Sequence, residues 1–242
     1  MIDNNIIPVM KQLLGNTIIV KSIGILSIVI IARLLSPKDF GIIAIASTIT
    51  YLADVLCESG AQRYINQKRK VSWDDIHTAF TVNLIIKTTI VLTLSLCLLI
   101  AYIFIGNEIY LVTSITVLII IITAFNNPIL LLCKRLLIYN PILRIEMVTK
   151  IVTVLISIIM AFFLKNYWAL VISILFSSIL YLILSYFFLE NRFCLLIKNF
   201  KEQWLFTKIS YLQSVIGYLR SESDIILSSL FFSPTEIGHY SK

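Results

Sequence analysis

Ser36-Pro37-Lys38-Asp39-Phe40-Gly41 interrupts two long apolar runs, and its reading decides the fold. Ser36 suits an N-cap, Pro37 suits the first helical position, and Asp39 completes a capping box against the positive helix end. Leu34 and Leu35 precede the phrase and Gly41 closes it. A helix therefore ends, turns and restarts within a few residues. The phrase returns as Ser233-Pro234-Thr235-Glu236-Ile237-Gly238, preceded by Phe231 and Phe232. Two corresponding restarts suggest an internal duplication, with chance recurrence of an ordinary cap as the alternative. The second copy is expected to be cut off at Lys242.

The runs on either side identify the solvent. The chain is 59% hydrophobic and 14% charged, with a mean hydropathy of +0.95. That excess suits a polytopic helical membrane protein, because only helices and closed barrels satisfy the backbone in lipid. The runs do not alternate, which excludes a barrel. Seven spans of about 20 residues are expected, at 17–35, 39–57, 80–104, 109–132, 145–164, 167–189 and 205–232. Residues 1–16 read as an amphipathic lead-in. Residues 17–189 form a six-helix transmembrane lobe, 190–204 an amphipathic linker on the cytoplasmic leaflet, and 205–242 the start of a second, truncated lobe. Asp3 and the lack of a small-residue cleavage site argue against a signal peptide, so the first helix is retained.

The net charge of +7 follows topology rather than nucleic acid. With the N-terminus inside, cytoplasmic flanks hold Lys11, Arg63, Lys68, Arg69, Lys70, Lys134, Arg135, Arg144, Arg192, Lys198, Lys201 and Lys208. The outer flanks hold only Arg33, Lys38, Lys165 and Lys242. This asymmetry predicts a cytoplasmic N-terminus. Both copies of the restart then lie outside, six helices apart, as in a parallel two-lobe transporter.

No catalytic constellation appears. His77 and His239 lack partners at metal spacing, and Cys57, Cys97, Cys133 and Cys194 read as scattered free thiols. There is no phosphate loop, so neither enzyme activity, metal nor cofactor is expected. The informative groups are charges inside spans, each costing about 2.5–3.5 kcal/mol at mid-bilayer. Arg220, Glu222 and Asp224 fall within the seventh span. They read as the polar wall of a cavity or as an ion-pair lock between helices. Lys21, Lys87 and Lys150 sit about 8–9 Å past the inner ends of the first, third and fifth spans. They read as a cationic ring for a pyrophosphate or as snorkelling lysines, Lys150 having Glu146 one turn earlier. Asp54 and Glu58 form a like-charged pair, with Arg63 as a nearby partner and Gly60 as a C-cap. Asn126-Asn127-Pro128 marks a kink in the fourth span.

The stretch Ala32-Arg33-Leu34-Leu35-Ser36-Pro37-Lys38-Asp39-Phe40-Gly41 resembles the signature after the first helix of Wzx-type polysaccharide exporters, in the colanic acid and teichuronic acid exporter branch. Glu58-Ser59-Gly60-Ala61, Gln67-Lys68-Arg69, Thr78-Ala79-Phe80-Thr81-Val82-Asn83, Tyr167-Trp168-Ala169-Leu170-Val171, Arg220-Ser221-Glu222-Ser223-Asp224 and Ile237-Gly238-His239-Tyr240-Ser241 follow in the family's order. The resemblance implies an all-α, MATE-like fold of the MOP superfamily, here the first six-helix lobe plus the opening helix of a second. It implies flipping of an undecaprenyl-diphosphate-linked oligosaccharide across the bacterial inner membrane, beside polymerases and glycosyltransferases. Under it, Arg220 is the foremost substrate contact, with Asp224, Glu222, Lys21 and Lys87 as further cavity candidates. A multidrug extruder of the same fold and an inactive membrane fragment are the competing readings.

Overall fold

The computed structural model describes residues 3–58, 60–102, 107–189, 194–198, 200–201, 203–204, 208 and 211–220, with 3–9 and 101 described by their backbone alone. Ser233, Pro234, Glu236 and Gly238, the second copy of the restart, lie outside the described residues, as do Glu222 and Asp224. The described chain is helical and carries no strand: α1 (Asp3–Leu34), α2 (Pro37–Leu56), α3 (Ala61–Gln67), α4 (Trp73–Ala101), α5 (Asn107–Ala124), α6 (Ile129–Arg135), α7 (Asn140–Leu164) and α8 (Trp168–Phe188). Residues 211–220 form a further helix, α9, within the expected seventh span. Among the described residues six helices are long and apolar enough to cross a membrane: α1 from Met10, α2, α4 to Ile100, α5, α7 and α8.

Three boundaries differ from the sequence expectation. No break separates residues 1–16 from the first span in the described part, since α1 is continuous from Asp3. Its apolar stretch already begins at Met10, and a helical glycine such as Gly15 costs only about 1 kcal/mol. The third span starts at Trp73 rather than at residue 80, because Ser72 and Asp75 form a second capping box. The fourth span ends at Ala124, and Phe125–Pro128 separates it from the short α6.

The Ser36 restart forms as the sequence predicts. Ser36 Oγ accepts from Asp39 N at 3.3 Å, and Ser36 N donates to Asp39 Oδ2 at 3.0 Å, with Pro37 in the first turn. Asp39 does more than cap its own helix. Its Oδ1 accepts from Tyr167 N at 3.0 Å, at the start of α8. Beside it Lys38 pairs with Glu108 at 2.7 Å. These contacts gather the starts of α2, α5 and α8 at one end of the bundle, here the Ser36 end. At the opposite, Gly60 end, Arg135 hydrogen-bonds Ile65 O, and Lys198 pairs with Asp74 at 2.8 Å. Gly60 adopts φ 62°, the left-handed conformation that lets α2 turn sharply into α3.

α5 is the central helix, packed on α2, α4 and α8, while α7 joins α8 to α1. Small residues set the close approaches: Ala46 meets Val112 and Val171, Ala53 meets Val91 and Val117, and Ala161 and Ala169 meet Ile31. The outer surface is apolar, with Leu92, Phe163 and Phe187 between 64% and 77% exposed. Such a surface belongs in hydrocarbon.

Candidate functional site

A cavity of about 690 Å³ opens in the Gly60 half of the bundle, walled by α2, α4, the α5–α6 break, α6, α8 and α9. The break exists because Asn126-Asn127-Pro128 cannot continue a helix ladder, and α8 satisfies the freed groups. Asn127, 1% exposed, donates Nδ2 to Ser185 O at 3.2 Å and to Leu189 O at 2.6 Å, while its Oδ1 accepts from Ile129 N at 3.0 Å. Tyr186 OH donates to Phe125 O at 2.9 Å. Asn127 is thereby spent on structure. Asn126 stands beside it in the cavity wall, its Oδ1 enclosed without a partner.

Among the described residues five charged side chains line the cavity: Asp54, Glu58, Arg63, Lys87 and Lys134. Two are consumed locally. Glu58 pairs with Arg63 at 3.7 Å and accepts from Ser214 Oγ, and Arg63 donates to Gln213 Oε1 at 2.7 Å. The Glu58–Arg63 pairing anticipated from spacing is therefore present, and α9 docks onto it. Tyr218 OH donates to Thr48 O at 3.1 Å and its ring lies 5.5 Å from that of Tyr51, closing the same wall. Lys87 donates to Thr123 Oγ1 at 2.8 Å and interacts electrostatically with Asp54. Lys134 is exposed and makes no hydrogen bond or ion pair among the described residues. Its neighbour Arg135 is committed to backbone carbonyls of Ile65 and Arg69. The polar wall also carries Gln62, Asn83, Tyr51 and Tyr181.

The structure brings one lysine of the expected ring into this wall, Lys87. Lys21 is exposed on α1 and does not line the cavity. Lys150 rests over α1 with its Nζ 3.5 Å from where a Cβ on Gly24 would stand. No ion pair joins it to Glu146 among the described residues, and Glu146 senses Lys134 instead. Arg220 is exposed and outside the cavity lining, while Ser214, Gly217 and Tyr218 of the same helix line it. Lys134, Asn83 and Gln62 were missed as site residues. Lys134 carries its signal in being two turns beyond the Asn126–Pro128 break, and Asn83 in being one turn before Lys87.

Within the linker, residues 194–198 take no regular secondary structure. Alternate amides of Cys194, Leu196 and Lys198 donate to His77 Nδ1 (3.4 Å), Thr81 Oγ1 (3.0 Å) and Thr78 Oγ1 (3.3 Å) along α4. Leu195 and Ile197 remain exposed, and Phe200 stacks on Trp204 at 5.7 Å. Among the described residues no cluster of three metal-ligating side chains occurs.

Residues 30–242 match the family described as "Polysaccharide biosynthesis protein". A 68-residue stretch, 28% of the chain, is 34% identical to an "Uncharacterized membrane protein in cps region" of Klebsiella pneumoniae. That match spans 14% of the relative's length. No solved structure matches significantly.

Proposed function

The chain belongs to the polysaccharide biosynthesis protein family, and from that premise we propose that it moves a lipid-linked oligosaccharide across the bacterial cytoplasmic membrane. The cargo is an undecaprenyl-diphosphate-linked saccharide, as in the Wzx-type exporters that the motifs resemble. The Gly60 end faces the cytoplasm, where the cargo is made and where positive flanks concentrate. No bond is made or broken. The protein shelters the saccharide and its phosphates from hydrocarbon while the chain stays in lipid.

One observation carries this reading: a polar cavity at the Gly60 end holding Lys87 and Lys134, the latter without a hydrogen bond or ion pair among the described residues. Cations held for a diphosphate contribute about 1.5–3 kcal/mol for each charged hydrogen bond formed. The surrounding amides and tyrosines offer the donors, acceptors and flat apolar faces that sugars use. An extruder of cationic drugs needs the opposite balance. Here Glu58 is paired with Arg63, and Asp54 interacts electrostatically with Lys87, so neither carboxylate among the described lining residues stands without a cation.

The test is genetic and chemical. Deleting the gene in its host should abolish surface polysaccharide and accumulate the lipid-linked oligosaccharide on the inner leaflet. Complementation with Lys134→Ala or Lys87→Met should lower export about tenfold each, the equivalent of about 1.4 kcal/mol, at unchanged protein level. Normal surface polysaccharide without accumulation in the deletion strain rejects the reading.

A further inference from the structure

An apolar groove runs along the outside of the bundle and meets the polar cavity at one residue. Its first part, about 650 Å³, lies between Leu56, Ile86 and Ile90 on one side and Trp204, Tyr211 and Leu212 on the other. Its second part, about 330 Å³, continues past Ile85, Ile86 and Trp204 to Ile197 and Phe200. Both volumes fall in the range of ordinary ligand sites, roughly 300–1,000 Å³. The stacked Phe200 and Trp204 rings, 5.7 Å apart at 26°, supply a flat wall. Glu58 lines both the groove and the polar cavity, and Lys208 stands at the groove's rim.

Along this path hydrocarbon gives way to Lys208 and the Glu58–Arg63 pair, and then to the cavity wall where Lys87 and Lys134 stand among amides and hydroxyls. We propose that the groove holds the hydrocarbon chain of the transported lipid, the isoprenoid segment next to the phosphates, with Lys208 and Lys134 flanking the diphosphate. This rests on the proposed transport function. The charge order selects the occupant: a chain seated between Ile86 and Leu212 and continuing past Glu58 places its anionic link between Lys208 and the cavity lysines. A bulk phospholipid would bring a headgroup but nothing to fill the amide-lined cavity beyond it. The strap of residues 194–198, tied by three amides to α4, keeps Ile197 at the far end of the groove.

The experiment uses the intact gene product in its host, in a strain whose polysaccharide polymerase is deleted so that the lipid-linked oligosaccharide builds up. A photo-crosslinking benzophenone amino acid replaces Ile86 in the groove or Leu99 on the lipid-facing side of α4, where it is 63% exposed. Adducts are identified by mass spectrometry. An isoprenoid-saccharide adduct at position 86, at least fivefold over position 99, is the expected result. Phospholipid adducts alone at 86, or equal isoprenoid adducts at both positions, overturn the groove assignment. Ile90→Trp, which narrows the groove without touching a charge, should lower export at least threefold with normal protein level, and unchanged export counts against the proposal. Accumulation of the oligosaccharide in the gene-deletion strain tests the transport function separately. Accumulation there with no isoprenoid adduct here removes the groove and leaves the function standing.

Discussion

Asp39 shows how much one side chain can hold together. Its carboxylate accepts from Ser36 N, Ser36 Oγ and Tyr167 N, so it caps α2 and ties down the start of α8 across 128 residues of sequence. The helix cap contributes about 1 kcal/mol, and the charge-assisted bond to Tyr167 about 1.5–3 kcal/mol. Asp39→Ala should therefore destabilise the detergent-solubilised protein by about 2–4 kcal/mol. Asp39→Asn, which keeps one carbonyl acceptor, should fall between. A thermal unfolding midpoint unchanged in Asp39→Ala would exclude the staple. The cap was legible because it spans three residues, whereas the bond to Tyr167 is a product of packing. The same limit explains the cavity. Lys87 was singled out because a charge in an apolar run is conspicuous, while Lys134 looked like one more positive flank until α6 turned it inward. Arg220 was conspicuous for the same reason as Lys87, yet the turn of α9 that lines the cavity is the one bearing Ser214, Gly217 and Tyr218.

At the scale of elements, the α5–α6 break and the strap on α4 are each held by side chains rather than by a backbone ladder. The Asn127 side chain makes three hydrogen bonds, to Ser185 O and Leu189 O at the end of α8 and from Ile129 N at the start of α6. Asn127→Ala orphans two α8 carbonyls and the Ile129 amide, at a cost of about 3 kcal/mol, measurable as a lowered unfolding midpoint. The strap predicts a specific exchange pattern. Thr81→Val should speed hydrogen–deuterium exchange at the Leu196 amide, and Thr78→Val at the Lys198 amide, each leaving the other protected. Equal exchange in variants and parent would mean these bonds do not form in solution. The hydrogen bond and charge of Asp74 raise the Lys198 ammonium above the ordinary lysine value. A raised folded value means the ammonium favours the folded state below the ordinary lysine pKa wherever Asp74 carries its charge, and that this contribution is lost as pH rises through the raised value. Strap protection should therefore be flat across the neutral range and fall in strong alkali. The helices themselves were legible from apolar length. Their ends were less so: the Ser72–Asp75 cap lacks the proline that announces Ser36, and Asn126-Asn127-Pro128 reads as a kink, whereas the structure ends α5 there and starts α6 anew.

The whole molecule alternates direction at every long helix, and that parity makes its orientation testable with few measurements. Asp39–Tyr167 and Lys38–Glu108 put three helix starts at the Ser36 end, while Arg135–Ile65 and Lys198–Asp74 put the intervening connections at the other. Locating one connection then locates them all. Arg63, Lys68, Arg69, Lys70, Lys134, Arg135 and Arg144 cluster at the Gly60 end, against Arg33, Lys38 and Lys165 at the Ser36 end. Short positive loops are retained in the cytoplasm, so the Gly60 end should be inside. Alkaline phosphatase, active only outside, should be silent when fused after Arg69 or Arg135 and active after Lys165. A fluorescent protein that matures only inside should give the reverse. The orientation also bears on the proposed export, because the lysine-bearing cavity opens at the Gly60 end. Phosphatase activity after Arg69 together with silence after Lys165 would turn the cavity toward the outside. A cargo made in the cytoplasm would then have no receiving site, and the proposed export would fall with the topology.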